Sequence, residues 1–128
     1  MTKEEFRVYL RALQAHDYDA FKKYYTDDYR AHFDGRTFDR DGVVEVERSL
    51  AAIADWTMDV RQIVADEGGI AVQAIMDMRF TKDAPPDFAL GPRKAGDRVK
   101  TRFCGFYTLR GDKISEFRVF PFLGERLD

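Results

Sequence analysis

The sequence predicts an α+β fold in which three helices at the N-terminal end cover one face of a curved antiparallel sheet. Three observations carry this. Apolar residues recur at helical spacing over roughly the first fifty positions, the period changes to two from about residue 56, and helices and strands stay segregated along the chain. The 128 residues suggest one domain, and an apolar share of 45% with 11 Phe and 6 Tyr supplies a core without disulfides or metals.

The first helix is written in "TKEEFRVYLRALQAH". Thr2 stands three residues before Glu5, the pattern of a capping box, and Phe6, Tyr9, Leu10 and Leu13 follow on one stripe. His16 is expected at an exposed helix end. Asp17 offers a cap for a second helix, "YDAFKKYYTDD", with Phe21, Tyr24 and Tyr25 on its apolar side. "YRAHFDGRTF" reads as a short irregular strand ending in a turn at Asp34-Gly35. Asp39 or Asp41 caps a third helix with Val43, Val46, Leu50 and Ile53 on one stripe.

Four antiparallel strands are expected next. "WTMDVRQIVAD" and "IAVQAIMDMRF" flank a turn at "DEGG", and the second strand places Val72, Ala74, Met76, Met78 and Phe80 on one face. Gln73, Asp77 and Arg79 take the other face. "TKDAPPDFALGPRKAGD" holds three of the four prolines and reads as a loop over a rim or opening. The final hairpin, "KTRFCGFYTLRGDKISEFRVFPF", turns at Arg110-Gly111-Asp112. Every position around Gly105 is bulky. A glycine inside a strand marks a bulge or the close approach of another group. Three helices cannot seal a strongly curved sheet, so a cone-shaped cavity is expected between them, a usual place for a small ligand.

This order and the wording "YLRALQAHDYDAF", "YRAHFDG" and "GFYTLRGDKISEFRVF" resemble the NTF2-like superfamily, in particular its SnoaL-like polyketide cyclases, ketosteroid isomerases and limonene epoxide hydrolases. The resemblance covers nearly the whole chain. It implies a cone-shaped curved antiparallel sheet with three helices over its concave face and a homodimer; the lack of metal-ligand spacing and of a nucleotide motif makes cofactor-free acid–base chemistry the expectation. The resemblance specifies the fold better than the function, because this fold hosts several chemistries and non-catalytic domains.

Position by position, the oxyanion-stabilising tyrosine of the isomerases falls on Tyr9. The acid that isomerases and cyclases carry on the penultimate strand falls on Gly105. The isomerase base falls on Phe33, flanked by His32 and Asp34, and the epoxide hydrolase's final-strand aspartate falls on Val119. The catalytic candidates are therefore Tyr9 as donor and His32, Asp34 or Glu116 as the proton carrier. Structural alternatives stand beside them: a packed Tyr9, a solvent-facing His32, a turn-forming Asp34, and Glu116 paired with Arg79 on the outer face. Glu116 would reach the pocket if strand parity slipped at a bulge. Tyr25, Trp56, Phe103, Tyr107, Phe117 and Val119, with the space left at Gly105, are candidates for contact with a flat hydrophobic substrate; Phe117 could equally fill that space.

A net charge of −2 with scattered basic residues argues against nucleic acid. No run of 18 apolar residues predicts a membrane helix, and "MTKEEFRVYL" is charged where a signal peptide is apolar. The lone Cys104 and two distant histidines predict no disulfide and no metal site, and no phosphate loop or nucleotide motif implies a cofactor. A cytoplasmic protein is expected. Two function classes follow: a lyase, isomerase or cyclase, and a non-catalytic binding or dimerisation module whose cavity is filled by Phe and Met. Cys104, Phe106 and Phe120 on the outer face of the last hairpin support a dimer modestly.

Overall fold

The computed structural model describes residues 1–33, 35–88 and 91–121. Helix α1 spans Lys3–Gln14, and its capping box forms as expected: Glu5 N–H donates to Thr2 Oγ1, and Thr2 N–H to Glu5 Oε2. Phe6, Tyr9 and Leu10 are its buried stripe. His16 follows in the left-handed region (φ 58°), and its ring packs edge-on against Trp56 rather than standing free in solvent.

The second helix is shorter than its apolar spacing suggests. Helix α2 covers only Tyr18–Lys22, capped by Asp17, and strand β1 begins at Tyr25. The stretch from Tyr25 to Tyr29 lacks strong helix formers, and its backbone has a sheet partner: Ile114 N–H donates to Tyr24 O. β1 (Tyr25–Phe33) then pairs with β2 (Arg36–Asp39), so the region read as one irregular strand is a hairpin. Asp39 caps α3 (Arg40–Ile53) by accepting from Gly42 N–H.

Strands β3 (Ala54–Ala65), β4 (Gly69–Phe80), β5 (Arg98–Arg110) and β6 (Lys113–Pro121) form the meander. The sheet has six strands in the order β2-β1-β6-β5-β4-β3, and β1 runs parallel to β6. The expected antiparallel sheet is thus mixed, because the two extra strands enter beside the last one. β3 bends at a register shift between Val60 and Gln62.

Register lines up the inner face in rows. Trp56, Met78 and Val99 are cross-strand partners; Met58, Met76 and Thr101 form the next row, then Val60, Ala74 and Phe103. Gly105 pairs with Val72 and Val119, and Tyr107 with Ile70 and Phe117. The helices pack over this face. Lys22–Asp41 (2.7 Å) links α2 to α3, and Gln14 Oε1 accepts from Met58 N–H of β3. Among the described residues no helix is long and apolar enough to cross a membrane.

Candidate functional site

Between the helices and the inner rows lies a cavity of about 390 Å³. Its lining is apolar at the floor, with Met58, Met76, Met78, Val99 and Phe103, and aromatic toward β1 and β6. Of the sequence candidates, Tyr9, Tyr25, Trp56, Phe103, Tyr107, Phe117 and Val119 all line it.

Tyr9 and Tyr25 share a hydrogen bond between their hydroxyls (2.8 Å), and both are 2% exposed. The Tyr25 ring stacks on Tyr29 (4.0 Å, 16°). Burial pushes the hydroxyls of Tyr9, Tyr25, Tyr29 and Tyr107 well above the ordinary phenol range, so all four stay protonated and act only as neutral donors or acceptors. In the Tyr9–Tyr25 pair one proton is spent on the mutual bond; the other can be given to a further acceptor.

Gly105 does not line the cavity. A Cβ built there would come within 2.8 Å of Phe117 Cε1, so the Phe117 ring occupies the notch, stacked on Tyr107 at 4.4 Å. The missing side chain makes room for an aromatic ring, not for a ligand.

His32 and Glu116 lie on the outer face. His32 Nδ1 contacts Thr37 Oγ1 (3.0 Å), its Nε2 lies 3.4 Å from Glu116 Oε2, and Arg118 Nε donates to Glu116 (3.0 Å). A bulge decides this. Ile114 is fully buried and has the parity of Glu116, but the register shifts after Leu109↔Ile114, so Thr108 faces Glu116 and Phe117 turns inward. The slip thus turns Glu116 outward. Asp77, also outside, has its carboxyl lowered by the paired Arg98 guanidinium (2.8 Å). Asp34 lies outside the described residues. Phe33 and Val119, onto which the resemblance maps catalytic acids, line the cavity as apolar groups.

Among the described residues the ionisable acid lining the cavity is Glu47, which was not among the sequence candidates. It stands on α3 one turn after Val43 and one before Leu50, on the face that lines the cavity. Its Oε2 is buried with no hydrogen-bond partner among the described residues. Burial pushes its carboxyl up to about 7. The Glu47 carboxylate also helps to raise Tyr25, Tyr29 and Tyr107, which places it within electrostatic reach of the tyrosine cluster. Its signal in the sequence was an acid inside an apolar i, i+4 stripe, masked by Glu45 and Arg48 beside it.

A curved sheet closed by helices is the NTF2-like fold. Solved structures agree in fold. A SnoaL-like polyketide cyclase from Agrobacterium tumefaciens superposes with a TM-score of 0.75 at 18% identity, covering 96% of this chain and 94% of that one. An LEH-like epoxide hydrolase from M. tuberculosis gives 0.71 at 16% identity (92% and 80%), and an NTF2-like protein from Anabaena variabilis 0.67 at 14% (98% and 89%). At these identities the likeness is one of fold. No curated protein matches the chain in sequence. The SnoaL-like domain profile matches residues 6–117, and the chain belongs to that family.

Proposed function

We propose that the chain is a cofactor-free acid–base enzyme of the isomerase, cyclase or lyase type, acting on a small hydrophobic, aromatic or polycyclic molecule in the cavity. The observation that carries this reading is Glu47: a carboxyl on the cavity wall, its buried Oε2 without a hydrogen-bond partner among the described residues, held near the pH at which proton transfer is most useful. As carboxylate it removes a proton from a carbon next to a substrate carbonyl. The electron pair moves onto the carbonyl oxygen, which accepts a hydrogen bond from the Tyr9–Tyr25 pair. The neutral acid then returns the proton to another carbon, to a departing oxygen, or to the alkoxide formed when the enolate closes a ring. His32 and Glu116 take no part.

The test needs no known substrate. Bicyclic ketones that bind the protein are incubated in D₂O and exchange of their α-protons is followed by NMR. Exchange should be accelerated by the wild type and fall by roughly 10² or more in Glu47→Gln. Compounds that bind without any gain in exchange would support the binding-module reading, which the proton spent on the Tyr9–Tyr25 hydrogen bond favours.

The same reading includes a homodimer. Phe106 and Phe120 are 43% and 53% exposed on the outer face of the last hairpin, beside half-buried Cys104. A dimeric mass by light scattering at micromolar concentration is expected, and a strictly monomeric one refutes it.

A further inference from the structure

Part of the cavity lining has no task in the proton transfer. Arg93, in the segment between β4 and β5, lines the same cavity and is half-buried. Its guanidinium donates to the carbonyl of Pro92 (3.0 Å) and has no acidic partner among the described residues. Its own carbonyl accepts from Ala84 N–H (2.9 Å). Ala84 and Phe88 of the same segment pack on the cluster of Leu50, Trp56 and Met78, and Arg93 shares the cavity lining with Trp56, Met78 and Val99.

The Trp56–Met78–Val99 row carries a second unspent donor. Trp56 Nε1 is buried without an acceptor among the described residues, and a buried indole N–H normally finds one. In the adjoining row the Thr101 hydroxyl makes only a long 3.4 Å contact with Arg102 O. These cavity-lining residues together carry a cation and two uncharged donors. The acid that lines the cavity, Glu47, belongs with the tyrosines: burial alone acts on it, whereas a neighbouring guanidinium would pull it down.

We propose that the substrate is itself an anion, an aromatic or bicyclic carboxylate whose carboxylate group seats against Arg93 with Trp56 Nε1 and Thr101 Oγ1 as further donors, its carbon skeleton lying over Met58 and Met76 and its reacting carbon at Glu47. A carboxylate fits better than a phosphate dianion, because one guanidinium must neutralise it in a largely apolar cavity. The inference rests on the cavity being the substrate site but not on turnover.

Calorimetry with 2-naphthoate and its isostere 2-naphthamide separates the two. The carboxylate should bind about tenfold or more tightly than the amide, the size of one charge-assisted hydrogen-bonded contact. Arg93→Gln should abolish the preference and Arg93→Lys should keep part of it. Glu47→Gln should keep the preference while losing proton exchange, so failure of the anion site and failure of the acid–base reading are distinct results. Equal affinities in the wild type, a preference that survives Arg93→Gln, or binding of neither compound would overturn the proposal.

Discussion

Replacing Glu47 with Gln should stabilise the protein at neutral and alkaline pH and leave its stability unchanged in acid. The carboxyl titrates near 4.5 as a free group and near 7 in the folded chain. Below about pH 4.5 it is neutral in both states and has no effect. Between there and about pH 7 the unfolded chain has released the proton and the folded chain still holds it, so stability falls as pH rises; above about 7 the loss is constant. The gap of roughly 2.5 pH units, at about 1.4 kcal/mol each, sets a ceiling of about 3.5 kcal/mol. The side of Glu47 that opens to the cavity lowers this figure. Even about 1–2 kcal/mol is a sizeable part of a total stability of roughly 5–15 kcal/mol. Urea unfolding followed by the fluorescence of the single tryptophan, Trp56, measures it in both proteins from about pH 4.5 to 8. The other carboxylates cancel in the difference, which should grow with pH and level off. A difference that stays constant with pH would mean that Glu47 titrates as an ordinary surface acid, and the proton-transfer role would fall with it.

The same carboxyl sets the pH dependence of turnover. For a substrate found by the exchange assay, kcat/KM should rise with an inflection near 7, and an inflection near the ordinary glutamate value would count against Glu47 as base. Tyr9→Phe removes half of the Tyr9–Tyr25 bond and should cost about 1–3 kcal/mol of stability and roughly 10²–10³ in rate. Tyr25→Phe should behave alike and the double variant should add little, so additive rate losses would separate the two hydroxyls. Gly105→Ala drives a methyl against the Phe117 ring and should destabilise by about 1–3 kcal/mol, with a smaller cost in a Phe117→Leu background. An unchanged melting temperature would show the notch to be open.

The caps, the turns and the alternating strands were legible because their energetics are local. Thr2 and Glu5, Asp39 and Gly42, and the inward set from Val72 to Phe80 are set by neighbours within a few residues. The tyrosine of α1 was legible too, through the resemblance. Hidden were the groups whose role depends on distant parts of the chain. Whether Glu116 faces in or out turned on one bulge, and β1 found β6 across more than eighty residues of sequence. Glu47 reads as one more charge between Glu45 and Arg48 until the sheet removes water from its side of α3, and Arg93 reads as a loop residue until Phe88 pins its segment beside Trp56. Periodicity, capping and the expectation of a cavity were thus written in the sequence by itself, while which acid and which cation stand on the cavity wall was decided by tertiary structure. A pKa depends on the surrounding dielectric, and that is built only when remote segments pack together.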